Sequence, residues 1–386
     1  MRELLVERRR AILEAAGATP VECAELLAYS DNRFALPDDA PLPALPLDDE
    51  PFVIAWEQRL HQSREQGAWT ALRRWMPQLH FPIAEGVSAS ADYRRATHSG
   101  VFPDGAGLEL EQPDALSFEL HSSPAGRIPV VRTSCRADFE ALVCALTRRN
   151  EPEVIPASMG ACMVSGHTNW QSVQLLRSAW EAADPSHRSD SVWLSTLRMI
   201  SPGGDLYRDR FILVSDGAYS GIAAGALGLR HDEWVSCSRT IRVEHECAHY
   251  LTRRMFGAMT NSLFDELIAD YSGIVAAAGA FRADWFLAFM GLSSRSYVRD
   301  SGRIRNYRGN PVLSAGAFSV LRRLVFDAAH NVERFDAQLT EPRTLQSRVE
   351  ALTALAAFSL EELAAADAPE RLLERVPGTR RFAHTH

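Results

Sequence analysis

Lysine is absent from this chain, so all 41 of its Lys and Arg residues are arginine. Lysine Schiff bases, a phosphate-loop lysine and a lysine general base are therefore excluded. The 49 acidic residues give a net charge of -8, so no overall basic field would attract nucleic acid or an anionic membrane. We expect no nucleic-acid and no membrane partner, and the composition does not indicate an oligomeric state.

Paired cysteines and long apolar runs are also missing. The six cysteines are scattered and form no C-x-x-C pair, which is typical of reduced thiols. Residues 1–10 lack the apolar core of a signal peptide, and no apolar run reaches the roughly 18 residues that a membrane-spanning helix needs. We expect a cytoplasmic protein.

The order of the predicted elements indicates an α+β fold. Residues 1–110 are expected to form a helical N-terminal region with a proline-rich linker near 36–46. Residues 111–386 are expected to form a second domain, with a small sheet in 111–235 and helices in 239–386. Strands that precede helices favour this arrangement over a doubly wound sheet.

Two strands of this sheet are predicted from local patterns. Residues 116–120 alternate between apolar and polar, and residues 127–132 form the expected partner strand. Pro129 cannot donate a backbone hydrogen bond, which favours an edge position for the second strand.

The most informative stretch is His245-Glu246-Cys247-Ala248-His249, an H-E-x-x-H pattern within a predicted helix. Residues four apart share a helix face, so His245 and His249 can present two imidazole nitrogens to one metal ion. Glu246 lies about 100° further around the helix, where it can reach a water on the metal without being a ligand. The pattern predicts a metal site with Glu246 as general base. On this motif alone, the alternative is an amphipathic helix with two surface histidines.

A second predicted helix supplies the third ligand. Glu266 and Asp270 are four residues apart and therefore share a face. A hydrolytic zinc site needs three protein ligands and one open position, and Glu266 completes the set with His245 and His249. Asp270 can accept the far N–H of a ligand histidine and fix its tautomer. We therefore expect Zn²⁺ as the cofactor.

Together the two segments resemble the gluzincin (thermolysin-like) zinc metallopeptidases, in which H-E-x-x-H is followed by a helix reading N-E-x-x-S-D-x-x-G. Residues 265–273 match at the ligand Glu, the orienting Asp and the Gly, whereas Asp265 replaces Asn and Ala269 replaces Ser. The resemblance covers residues 239–273. It implies a zincin-like fold for 111–386 and cleavage of a small peptide or amide-containing substrate by a metal-activated water.

Residues that contact the substrate are expected outside these helices. In gluzincins an edge strand upstream of the active helix holds the substrate. Residues 211–214 and 219–227 are the candidates here, although an ordinary buried strand explains them at least as well. Downstream, the arginine-rich segment 294–309 contains Tyr307 and Arg308. We select Tyr307 to stabilise an oxyanion and Arg308 to bind a substrate carboxylate, although a solvated loop would explain the same segment.

Two other functions remain open. One is a carboxylate-bridged di-iron oxygenase, whose paired E-x-x-H ligands resemble the pairs Glu246/His249 and Asp327/His330. That function leaves the Glu266 segment unexplained. A non-catalytic, metal-stabilised binding protein is the third possibility, but a purely structural site needs no base such as Glu246. We therefore favour a zinc-dependent hydrolase.

Overall fold

A computed structural model represents the full chain. It describes residues 2–30, 34, 42–103, 105, 107–184, 186–257, 263–294, 298–299, 302–339 and 343–376. Part of the predicted linker at 36–46, residues 36–41, lies outside the described residues.

The described residues form fifteen α-helices and four β-strands. The helices are α1 (Arg2–Ala15), α2 (Pro20–Tyr29), α3 (Phe52–Gln66), α4 (Ala68–Arg73), α5 (Ala91–Ser99), α6 (Arg136–Thr147), α7 (Trp170–Ala183), α8 (Asp190–Ile200), α9 (His231–Phe256), α10 (Leu263–Ala278), α11 (Ala283–Met290), α12 (Ala315–Asp336), α13 (Leu345–Ala356), α14 (Leu360–Ala364) and α15 (Ala368–Leu373). The strands are β1 (Ser117–Ser123), β2 (Gly126–Thr133), β3 (Ala161–Thr168) and β4 (Arg208–Ser215).

The strands form one small mixed sheet in the order β1-β2-β4-β3. β1 and β3 run antiparallel to their neighbours, whereas β2 and β4 are parallel. The apolar run 211–214 lies in β4 and is fully buried, as expected of an inner strand. All four strands fall within 111–235 and precede the helices α9 to α15, so the predicted mixed arrangement of a small sheet followed by helices is confirmed.

The proline of β2 does not mark an edge strand, and that prediction is wrong. β2 is an inner strand, with β1 on one side and β4 on the other. Pro129 pairs with Leu120 of β1 but precedes the segment 130–133 that pairs with β4. Its missing N–H therefore interrupts no hydrogen bond of the ladder with β4.

The two candidate substrate strands also differ from the prediction. Residues 211–214 lie in the inner strand β4, whose edges are already paired on both sides. Residues 219–227 contain two short 3-10 helices, Tyr219–Gly221 and Ala224–Leu227, instead of a strand. Neither segment is an edge strand, so neither can hold a substrate in the expected way, and for 211–214 the alternative of an ordinary buried strand is confirmed.

The described chain divides into two compact units. One comprises Asp48–Gly217, and the other comprises Met1–Leu47 together with Ala218–His386. This division differs from the domain boundary predicted near 110. In the first unit Trp56 of α3 packs against Phe211 of β4, with ring centroids 5.2 Å apart. In the second unit Arg9 of α1 pairs with Glu361 of α14, at 3.3 Å between Nη2 and Oε1.

Helix α9 carries the H-E-x-x-H pattern and is longer than predicted. It begins at His231, before the expected start at 239, because the Glu233 carboxylate accepts a hydrogen bond from the Arg230 backbone N–H and caps the first turn. It ends at Phe256, and the next residue, Gly257, has a φ of 68°, the left-handed conformation that terminates many helices.

Helices α9 and α10 cross closely and run antiparallel. Gly273 of α10 faces the backbone of Ile241 on α9, and a Cβ built on Gly273 would lie 2.8 Å from the Ile241 carbonyl oxygen. Further along α9, His249 faces Asp265, which lies earlier on α10. Residues further along α9 therefore face residues earlier on α10, which makes the two helices antiparallel. The close approach is possible because Gly273 has no side chain.

None of the helices in the described part of the chain is long and apolar enough to cross a membrane.

Replacing Gly273 with Ala should destabilise the protein. The added methyl group would meet backbone atoms of Ile241, so α10 must move away from α9. Such overpacking costs about 1–3 kcal/mol and should outweigh the gain of roughly 1 kcal/mol in helix propensity. We expect a lower free energy of unfolding in chemical denaturation. Gly225→Ala is the matched control, since the built Cβ of Gly225 has nothing within 4 Å. A Gly273→Ala variant as stable as that control would contradict the proposed contact.

Candidate metal centre

Three side chains converge at the crossing of α9 and α10. Nε2 of His245 lies 3.2 Å from Nε2 of His249. The Glu266 carboxylate approaches both imidazoles, at 3.6 Å from His245 Nε2 and 3.8 Å from His249 Nε2. A tetrahedral zinc site with bonds of about 2.0–2.2 Å separates its ligand atoms by about 3.3–3.6 Å. The three predicted ligands are therefore together, buried and spaced for one small cation.

A carboxylate orients the first imidazole. Asp270 is fully buried, and its Oδ1 accepts a hydrogen bond from His245 Nδ1 at 2.8 Å. The Tyr219 hydroxyl donates to the same oxygen at 2.6 Å and lies 3.1 Å from His245 Nδ1. Because Nδ1 carries the hydrogen in this arrangement, the lone pair of neutral His245 is on Nε2, which faces the other two ligands. The position of Asp270 is the one that the sequence predicts.

A second carboxylate, that of Asp265, lies beside the imidazole of His249. Asp265 Oδ2 lies 3.2 Å from His249 Nδ1, and Asp265 is fully buried. In the sequence comparison Asp265 counts only as a departure from the gluzincin pattern, so its contact with His249 was not predicted. Each ligand histidine thus has a carboxylate beside its Nδ1, which is the usual arrangement around metal-bound imidazoles.

The donor set favours a cation. With a carboxylate beside each Nδ1 atom, the two Nε2 atoms and the Glu266 oxygens face one another within contact distance. Burial by itself would lower the pKa of His249, but Asp265, Glu266 and Glu246 outweigh it and raise that pKa to about 9. The surroundings of this imidazole are therefore anionic. A divalent ion could take the place of the proton that these anionic surroundings hold on His249, so these residues fit a metal.

Glu246 follows the first ligand histidine on α9 and is 9% exposed. Burial raises the pKa of its carboxyl group, partly offset by the charges of His245 and His249. Among the described residues, its carboxylate has no hydrogen-bond or ion-pair partner. The negative charge of Glu266 also raises the pKa of Glu246. A buried carboxylate without a fixed partner is free to bind and deprotonate a water.

Of the two residues selected from the arginine-rich segment, only Tyr307 reaches the centre. Its side chain is hydrogen-bonded to the ligand Glu266, and burial raises the pKa of its phenol. The guanidinium of Arg308 instead lies over the ring of Phe318, with Cζ 4.9 Å from the ring centroid. Another arginine of the same segment, Arg303, does reach the centre, and its Nη2 donates to Glu266 Oε2 at 2.9 Å.

The ligands of the di-iron alternative do not assemble with the centre. His330 is exposed, and its Nδ1 lies 2.8 Å from the Phe326 carbonyl oxygen of its own helix. Within the described ranges, the group that could hold a metal consists of His245, His249 and Glu266, and it includes neither His330 nor Asp327.

Sequence reasoning missed three residues that contact the centre: Asp265, Tyr219 and Arg303. Asp265 had a usable signal, because it directly precedes the ligand Glu266 on the same predicted helix. Tyr219 and Arg303 lie on short 3-10 helices, Tyr219–Gly221 and Arg303–Tyr307, where no helical or strand periodicity marks a buried face.

These observations define a mixed α+β protein with a candidate metal centre built from two helices. Over residues 11–367 the sequence matches DUF7005, a family of unknown function, and the chain belongs to this family. No curated protein and no solved structure matches the chain.

Replacing the residues of the centre should lower metal affinity in a graded way. Glu266→Ala removes a ligand and should cause the largest loss. Asp270→Asn keeps the shape but weakens the orientation of His245, and such outer partners contribute about 10–100-fold in affinity. Zinc affinity is measured by competition with a chromogenic chelator.

Asp327→Asn is the control for these variants, because Asp327 lies on α12 and outside the cluster. We expect its zinc affinity to equal that of the wild type. Loss of metal in Asp327→Asn, with retention in Glu266→Ala, would contradict the ligand assignment and favour the di-iron arrangement.

Proposed function

We propose that this protein is a zinc-dependent hydrolase that cleaves a peptide or amide bond, with Glu246 as the general base. One observation carries the proposal: a buried N2O ligand set lies beside a buried carboxylate that has no partner among the described residues. Three protein ligands leave one position open, which distinguishes hydrolytic zinc sites from closed structural sites.

The choice of zinc follows from the donor set. Two imidazoles and one carboxylate suit Zn²⁺, whereas magnesium and calcium prefer sites built from oxygen ligands. Bound at this centre, zinc would supply Lewis acidity toward the substrate carbonyl and would make a water easier to deprotonate. His245, His249 and Glu266 would hold the ion.

The protein's own groups then account for the proton transfers. Glu246 accepts a proton from the attacking water and returns it to the leaving amine, so one carboxylate serves as base and then as acid. Asp270 and Asp265 keep the hydrogens of both imidazoles on Nδ1. Tyr307, whose side chain is hydrogen-bonded to Glu266, is our proposal for the oxyanion role. Arg308 is not proposed for substrate binding, because its guanidinium is stacked on Phe318.

The relation to gluzincins is part of this proposal. The carboxylate of Glu266 faces both histidines of the H-E-x-x-H helix, as the resemblance implies, and this supports a zincin-like assignment for the metal-bearing helices. The upstream edge strand is missing from the two expected positions, so the substrate must be held differently. A small peptide or another amide-containing molecule in the cytoplasm remains the proposed substrate.

Two alternatives are weaker. The di-iron oxygenase would need His330 as a ligand, but this residue is exposed and bonded within its own helix. A non-catalytic metal-stabilised protein would not need a buried Glu246 that has no partner among the described residues, since burial of a carboxylate without a partner lowers stability.

The substitution Glu246→Gln separates these functions. The amide has nearly the same shape but cannot accept a proton at neutral pH. We expect hydrolysis to fall by about 10²–10⁴-fold or more, while zinc content and melting temperature stay close to those of the wild type. Hydrolysis is measured with an untargeted peptide library, followed by kinetics on a peptide that the wild type cleaves.

Glu244→Gln is the matched control, because Glu244 lies on the same helix and is only half-buried. It should retain both zinc and activity. Full activity of Glu246→Gln with bound zinc would contradict the proposed base. Loss of metal together with activity would make Glu246 a ligand, and a zinc-loaded wild type that cleaves nothing in the library would favour the binding protein.

A further inference from the structure

Arg303 contacts the metal centre from a third element, the 3-10 helix Arg303–Tyr307. Its Nη2 donates to Glu266 Oε2 at 2.9 Å and to Asp270 Oδ2 at 2.7 Å. Its Nη1 donates to the hydroxyls of Tyr219 and Ser220, both at 3.1 Å. A single guanidinium therefore joins a metal ligand, the carboxylate that orients His245, and the tyrosine that shares that carboxylate.

These ion pairs and hydrogen bonds are strengthened because the side chains that form them are buried. The side chain of Arg303 is 11% exposed, as is that of Glu266, and the side chain of Asp270 is fully buried. Ion pairs in such surroundings are screened little by water and salt, and removal of one partner leaves an uncompensated buried charge. The planar guanidinium also fixes directions, because its N–H bonds point along set lines.

The backbone at Ser220 supports a specific role for these contacts. Ser220 is buried and has a φ of 52°, a left-handed conformation that is unfavourable for residues other than glycine. This conformation occurs in the short 3-10 helix Tyr219–Gly221, directly after Tyr219, whose hydroxyl donates to Asp270. It lets Tyr219 and Ser220 present adjacent hydroxyls to the same nitrogen of Arg303.

We propose that Arg303 is a positioning residue for the metal centre: it fixes the Glu266 carboxylate and Asp270 in one arrangement, so that the ligands are ordered for the ion. The proposal rests on the metal site of the proposed function, but it does not depend on which bond the protein cleaves. It gives the arginine-rich segment a role other than the substrate clamp expected from the sequence.

A purely electrostatic role for Arg303 would have the opposite consequence. A positive charge beside the ligands repels a divalent cation, so removal of that charge alone should tighten metal binding. A positioning role requires the reverse, because Glu266 and Asp270 lose their common donor and their side chains gain freedom. The sign of the change in zinc affinity therefore separates the two roles.

The test compares Arg303→Gln and Arg303→Lys with the wild-type full chain. Arg303→Gln should lower zinc affinity by about 10–100-fold, the usual effect of losing an outer partner of a ligand. Arg303→Lys keeps the charge but cannot bridge the same acceptors, so it should show most of that loss. Affinity is measured by chelator competition. The visible absorption of the Co²⁺-loaded protein reports the ligand arrangement and should change in both variants.

Arg305→Gln is the matched control, because Arg305 is exposed on the same 3-10 helix. Its zinc affinity and Co²⁺ spectrum should equal those of the wild type. Unchanged or tighter zinc binding in Arg303→Gln would overturn the proposal, as would wild-type affinity and spectrum in Arg303→Lys. If Arg303→Gln does not fold, Arg303→Lys alone decides. A wild type that binds no zinc would overturn the proposed metal site itself, whereas wild-type binding with unaffected Arg303 variants would contradict only the role of Arg303.

Discussion

Because Gly273 has no side chain, the backbone of α10 can approach the backbone of α9 at Ile241. The rest of the centre follows from this contact and from helix geometry. On α9, the residues four and eight positions after Ile241 are the two ligand histidines. On α10, the residues three and seven positions before Gly273 are Asp270 and Glu266. Positions with these spacings lie on one face of a helix, so the antiparallel crossing sets the imidazoles directly opposite the carboxylates. A wider crossing would separate them.

Such a crossing concentrates negative charge in the protein interior. Asp265, Glu266, Asp270 and Glu246 are all buried, and Arg303 provides one positive charge against them. Buried carboxylates are tolerated when each has a partner that compensates for lost hydration. Three of the four have such partners in imidazoles, a tyrosine hydroxyl or the guanidinium. A divalent cation would offset much of the remaining charge, so metal binding and stability of this unit are expected to be linked.

Whether a feature of this protein can be predicted from the sequence depends on how far apart in the sequence the interacting residues lie. The ligands and Asp270 were predictable because their spacing on two long helices carries the information locally. The inner position of β2 could not be predicted, because its pairing with β4 joins residues some 80 positions apart, as in Val130 with Ile212. Arg303 lies 37 residues from Glu266, on a 3-10 helix without periodicity. No sequence pattern around Arg303 distinguishes it from the other arginines of that segment, so the sequence does not favour it over Arg308.

The support of the centre reaches to the N-terminal helices. The Tyr29 hydroxyl at the end of α2 donates to the backbone carbonyl of Tyr307 at 2.8 Å, across 278 residues of sequence. The same tyrosine ring packs against Gly309, whose φ of 79° excludes most other residues. α2 thus contacts the chain at Tyr307, whose side chain reaches Glu266, and again two residues later at Gly309. A helix that looks like a separate N-terminal region in the sequence therefore belongs to the metal-bearing unit. The contact links the metal centre, through Tyr307, to a helix that the sequence places in a region ending near 110.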